Sequence, residues 1–177
     1  MAPNRARWRE GTGPDNLSLA FNPTTCAVEV EVDPETGFLT VAGLWEADDS
    51  GTPLNPMAVR GQVIGAAVMS IGHALYANLI RVNGKVMNPS CRDYKMPQAN
   101  DLLKLADFKH SNVITREPEG PFGAKEAGQG AGTGVSAALA NAVYNATGVR
   151  LKRLPMTPED ILFGLKHLQE HKEYVAP

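Results

Sequence analysis

From Cys26 onward apolar and polar side chains alternate strictly, with Val28, Val30 and Val32 set between Glu29, Glu31 and Asp33. A period of two belongs to a strand with one buried and one wet face. Pro34-Glu-Thr-Gly37 supplies a turn, and Leu39 and Val41 begin a return strand with Thr40 facing the other way. The pattern therefore predicts a hairpin. The period then lengthens. Asp48-Asp-Ser-Gly-Thr-Pro-Leu-Asn-Pro56 is dense in turn formers, and its last two residues place a capping side chain before a proline at the first helical position. The helix opened there runs to about Asn78 and holds Gly61, Gly65, Ala66, Ala67 and Gly72. Each of its glycines costs ~1 kcal/mol against alanine, so these positions imply close packing against the helix. The run 61–80 is nearly long enough to cross a bilayer. Gln62, Ser70, His73, Tyr76 and Asn78 interrupt it and Arg60 and Arg81 flank it, which favours a buried helix.

Val82-Asn-Gly-Lys85 reads as a second hairpin turn, followed by an extended stretch over 86–94 that Met96-Pro97 closes. Residues 101–106 are weakly helical, and 113–116 read as another strand. A helix over 135–147 ends at Gly148. Thr157-Pro158-Glu159-Asp160 starts the last one, whose apolar stripe is Ile161, Leu162, Leu165 and Leu168. Together these elements predict an α+β fold, a mixed sheet and hairpins with packed helices.

The stretch 118–134 carries Gly120, Gly123, Gly128, Gly130, Gly132 and Gly134, with Lys125 and Glu126 among them. A glycine-rich loop that feeds a helix start turns backbone N–H groups toward a phosphate, an oxyanion or a cofactor edge. The spacing satisfies neither the dinucleotide fingerprint nor a P-loop. A flexible connector is the plain alternative, and the apolar neighbours Pro121, Phe122, Val135 and Leu139 weigh against it.

Composition narrows the setting. The 177 residues suffice for one domain, or for a piece of a larger one. A net charge of −2 gives nucleic acid no electrostatic footing. Cys26 and Cys91 lack metal-ligand spacing, which points to a reduced, cytoplasmic protein without a disulfide framework. Residues 1–24, basic but without an apolar core segment, are no signal peptide and read as an arm that contacts a partner chain. The remainder, 25–177, reads as one unit.

Candidate chemistry is sparse. His167-Leu-Gln-Glu-His171 matches an inverted zinc-protease string, yet it sits on a highly charged helix without a third ligand and reads as a solvated face. His73, in an otherwise apolar helix, reads as a hydrogen-bonded core histidine. Gln62 is a carboxamide near the start of the small-residue helix and needs partners if buried. Lys125 and Glu126 form either a loop ion pair or an anion contact beside an acid–base group. Gln129 does not titrate near neutral pH and is no general base.

Eight motifs in order carry a resemblance. They are Gly11-Thr-Gly13; the strand pair around 28–37; Asp49-Ser-Gly51 with Asn55-Pro56; Gly61-Gln62; Asn88-Pro-Ser with Asp93-Tyr-Lys-Met-Pro97; Gly120-Pro-Phe-Gly-Ala-Lys125; Ala140-Asn-Ala142 with Ala146-Thr-Gly-Val-Arg150; and Leu154-Pro-Met-Thr-Pro158. From about Gly11 to Leu165 the chain resembles the C-terminal segment of the molybdenum-cofactor-binding subunit of the xanthine oxidase family of molybdenum hydroxylases. The resemblance implies part of a larger molybdopterin-binding domain and a reaction in which an organic substrate is hydroxylated or dehydrogenated with water as oxygen source. It implies that Gln62 contacts the pterin and that Gly128 and position 129 lie at the metal. Lys125 is expected at the cofactor as well. The family's residue at position 129 is the glutamate that serves as general base, whereas this chain has Gln129. Glu126, three residues earlier, is the stand-in base. Failing that, Gln129 suits a redox-neutral hydratase, a dehydratase or a reductase, or else a subunit that is structural only. Family subunits are several times longer, so the resemblance implies a split subunit or a fragment. Its cofactor would be molybdopterin, as a dinucleotide, shared with a larger chain, beside FAD and iron–sulfur partner subunits.

Overall fold

A computed structural model of the protein describes residues 8–9, 13–14, 20–98 and 108–174, with side-chain surroundings for 20–98 and 108–170. The weakly helical stretch at 101–106 and most of the N-terminal arm lie outside these residues. Two short strands, β1 (Trp8–Arg9) and β2 (Gly13–Pro14), pair antiparallel. The sheet that organises the body has three: β3 (Thr24–Val32), β4 (Leu39–Asp48) and β7 (Phe108–Asn112), in the order β3-β4-β7. The first pair is antiparallel and the second parallel, so the sheet is mixed.

The expected hairpin is present and longer than the alternation alone shows. Asp33 closes its turn, accepting from Glu35 N at 2.9 Å and from the Thr36 hydroxyl at 2.7 Å. Gly37 adopts a left-handed φ of 71° against the start of the last helix. The register slips between Glu29 and Val30, leaving Ala42 unpaired. That bulge shifts the inward face of β4 by one residue. Inward positions run Leu39 and Val41, then Leu44, Glu46 and Asp48. The sheet's inner face is consequently apolar at one end and acidic at the other.

Helix α1 (Pro56–Leu75) starts as the sequence predicts, with Asn55 Oδ1 accepting from Ala58 N at 3.1 Å. It buries Val63, Ala67, Ile71 and Ala74. At Gly72 the close neighbour is Pro97: a Cβ there would lie 2.5 Å from its ring. At Gly61 and Gly65 the expected close packing is absent: a Cβ would meet nothing within 4 Å, and α1 turns bare backbone to open space there. After it, β5 (Arg81–Val82) and β6 (Lys85–Val86) form the expected tight hairpin, with positive φ at Asn83 and Gly84. No helix among the described residues is long and apolar enough to cross a membrane.

Two further expectations fail here. Residues 86–94 are not uniformly extended, because Ser90 caps a single turn, α2 (Cys91–Tyr94), by accepting from Asp93 N at 3.1 Å. The strand expected at 113–116 lies at 108–112 instead. Its inward positions include His110 and Asn112, and polar residues there hide the period of two.

Helix α3 (Gln129–Thr133) joins α4 (Val135–Thr147) through Gly134, and α4 ends on Gly148 at φ 75°. Helix α5 (Pro158–Tyr174) is capped by Thr157, whose hydroxyl accepts from Asp160 N at 3.2 Å. Helix α4 covers β3, α1 packs on α3 and α4, and Met156 N donates to Ala74 O at 2.6 Å. The core gathers Val41, Leu44, Ile71, Leu139, Val143 and Ile161 from all these elements.

Candidate functional site

The open face of α1 and the segment that crosses it bound a groove of about 450 Å³. Gln62, Gly65, Ala66 and His73 line one side, and Gly128 and Gln129 the other. The crossing is tight. Gly128 has φ 114°, and a Cβ on it would lie 3.1 Å from Gln62 Cβ and 3.4 Å from Gln62 Oε1. No other residue type reaches that conformation without strain. Ser70 fastens the crossing by donating to Gly132 O at 2.7 Å, and Ser136 donates to Ser70 O at 3.2 Å.

The structure thus brings Gln62, Gly128 and Gln129 together and sets Lys125 and Glu126 apart from the groove lining. The glycine-rich stretch becomes helical at Gln129, not at Val135. Its first amides are not open to an anion. The Glu126 carboxylate accepts from Gly130 N at 3.0 Å and from Gln129 N at 3.4 Å, which caps the turn from within the chain. Asn22, near the end of the proposed arm, holds Glu126 by donating to its backbone carbonyl at 2.8 Å.

Lys125 pairs with Asp49, not with its neighbour Glu126. Its Nζ lies 2.8 Å from Asp49 Oδ2 and 2.8 Å from the Thr115 hydroxyl. Burial pushes the Asp49 carboxyl upward, but hydrogen bonds from Lys125, Thr115 and Gly51 N override it and hold the group at about 2.

Gln62 and His73 are both exposed, contrary to the buried roles their apolar context suggests. The ring of His73 shares a hydrogen bond of 3.2 Å with the Tyr94 hydroxyl. His167 is exposed on α5, and the side chain of His171 lies outside the described residues. Among the described residues no group of three or more His, Cys, Asp or Glu side chains is placed to hold a metal ion.

Sequence reasoning missed the acidic end of the sheet. Glu46, Asp48 and Ser50 are buried, and His110 bonds Asp48. Both carboxylate oxygens of Glu46 lack a hydrogen-bond partner among the described residues, as does Asp48 Oδ2. Desolvation, with the charge of Asp48 second, lifts Glu46 to about 7. Cys26, its cross-strand partner, is raised by burial and then by Glu46. No signal in the alternation points to it, because the bulge that turns Glu46 inward is set by the strand pairing. A carboxyl raised in the folded state favours folding while protonated and loses that advantage as pH climbs from its unfolded value through about 7. Glu46→Gln is therefore expected to match the parent near pH 4.5 and to exceed it at pH 8. Each pKa unit corresponds to ~1.4 kcal/mol, so the gain at pH 8 is on the order of 2–3 kcal/mol. Urea unfolding at the two pH values measures it, and equal stability at pH 8 refutes it.

A family model described as the molybdopterin cofactor-binding domain matches residues 2–103. The gamma subunit of the 6-hydroxypseudooxynicotine dehydrogenase complex of Paenarthrobacter nicotinovorans is 37% identical over 149 residues, which are 82% of this chain and 18% of that protein. The xanthine dehydrogenase molybdenum-binding subunit of Escherichia coli O157:H7 is 39% identical over 134 residues, 75% of this chain and 17% of that one. Among solved structures, the aldehyde oxidoreductase of Desulfovibrio gigas aligns with a TM-score of 0.75 at 30% identity, covering 87% of this chain and 16% of its own. The chain spans under a fifth of the length of each of these relatives.

Proposed function

Because the chain belongs to the molybdopterin cofactor-binding domain family, as a segment of the kind found in the xanthine oxidase family, we propose that it is a small subunit completing a molybdopterin site with a larger polypeptide. The observation that carries this reading is the convergence of Gln62, Gly128 and Gln129 on one groove. These residues fit such a group. Gly61 and Gly65 leave helix backbone bare toward the groove, and two carboxamides offer donors and acceptors at its edge. The group, when bound, supplies two-electron redox chemistry at its metal. Gln62 would hold the pterin edge, and Gly128 permits the approach. Gln129 would orient substrate or water by donating and accepting hydrogen bonds.

The enzyme so completed is a cytoplasmic molybdenum-dependent oxidoreductase that hydroxylates or dehydrogenates a small organic substrate, with FAD and iron–sulfur subunits carrying the electrons. One observation favours a second reading. No carboxylate lines the groove among the described residues, which suits redox-neutral addition or removal of water, or a reductive reaction. Substrate turnover in oxygen-18 water, with and without an electron acceptor, separates the two.

The test of the primary reading is copurification. The polypeptide is expected to come out with a larger chain at one molybdenum per complex, and Gln62→Leu to lower that content ~10-fold, the loss expected for a supporting hydrogen bond to a bound group. A complex that forms without molybdopterin overturns it.

A further inference from the structure

We propose that Lys125 is a positioning residue, which with Asp49 and Thr115 fixes the point where Gly128 crosses Gln62. The proposal rests on the functional reading of that groove and assigns Lys125 a task other than touching the cofactor.

Three distant segments meet at this pair: Asp49 follows β4, Thr115 follows β7, and Lys125 leads into the crossing. Only 9% of the Lys125 side chain and 11% of that of Asp49 remain exposed. The carboxylate also accepts from Gly51 N at 3.0 Å, and the Thr115 hydroxyl bonds Asp49 Oδ2. A buried ammonium with its donors directed at a carboxylate and a hydroxyl is not available to an outside ligand, since leaving would strand Asp49 charged and unpaired.

Backbone bonds repeat the message. Lys125 N donates to Ser50 O at 2.9 Å, Thr52 N donates to Gly123 O at 2.8 Å, and Gly51 bridges Ala124. Two residues separate this staple from Gly128. At no more than ~3.6 Å per residue, the chain has little freedom between the clamp and the groove. Glu126, pointing the other way, fixes the far side of the same turn by capping α3. Adjacent opposite charges thus hold one segment from two directions without pairing with each other.

Amide hydrogen exchange on the full chain, without cofactor, tests the proposal. Lys125→Met is expected to lower protection of the amides at 126–134 at least ~10-fold while the β3–β4 amides keep theirs, and Lys125→Arg to restore it to within ~3-fold of the parent. Should Lys125→Met not fold, Thr115→Val decides, with an expected local loss of ~3-fold or more. Unchanged protection at 126–134, or an equal loss throughout the chain, overturns the proposal. A complex lacking molybdopterin would instead remove the functional reading and leave the exchange result standing.

Discussion

Gln129→Glu is expected to raise acceptor-dependent hydroxylation by the assembled enzyme by ~10²–10⁴-fold, the usual contribution of a positioned general base. The expected gain rests on the proposed place of this residue in the site. Gln129 lines the groove beside Gln62, at the start of a helical turn where a carboxylate is favoured. The carboxamide can hold a proton donor or acceptor but takes no proton itself. A glutamate of the same length supplies a proton acceptor there, together with a negative charge and the loss of the amide's N–H donors. If the native reaction is addition of water without an acceptor, the same variant loses that activity while it gains the other. The turnover numbers at saturating substrate read out both. No change in either activity would place Gln129 away from the reacting atoms and end the assignment.

Gly37→Ala is expected to cost at least ~3 kcal/mol of stability. The glycine sits at φ 71°, and a Cβ would lie 2.1 Å from Pro158 O, with Leu162 N at 3.0 Å. Backbone, not a yielding side chain, blocks the space. The clash falls where the hairpin turn meets the first turn of α5, so relief requires pulling two elements of the core apart. Gly84 is the control: its φ of 78° is as unusual, yet nothing lies within 4 Å. Gly84→Ala should cost only the ~1–2 kcal/mol of left-handed strain. Equal losses in chemical denaturation would show that the turn does not dock on α5.

Local features are legible in the sequence and long-range ones are not. Turn chemistry at 34–37 and 82–85, the Asn55 and Thr157 caps and the Gly148 stop depend on a few adjacent residues, and each was readable without the fold. The groove was half legible. Gln62 and Gln129 stand out in the sequence, but that Gly128 lies against Gln62 depends on a contact between distant segments. The partner of Lys125 was hidden for the same reason, since Asp49 is far away in the chain and Glu126 is next door. The fate of Glu46 was hidden by the bulge, because one unpaired residue reverses which face an alternating strand presents.

The parallel pairing of β4 with β7 has a temporal side. The hairpin can close as soon as it is synthesised and α1 follows directly, while β7 and α4, which covers β3, come far later in the chain. At ~5–20 residues per second, translation leaves β3 waiting on the order of seconds. During that interval Val28 and Val30 on β3 lack the cover of α4, the kind of exposed apolar strand that chaperones bind and that aggregation begins from. Yield in the cell is thus expected to follow how the nascent polypeptide is escorted as well as the free energy of the finished molecule.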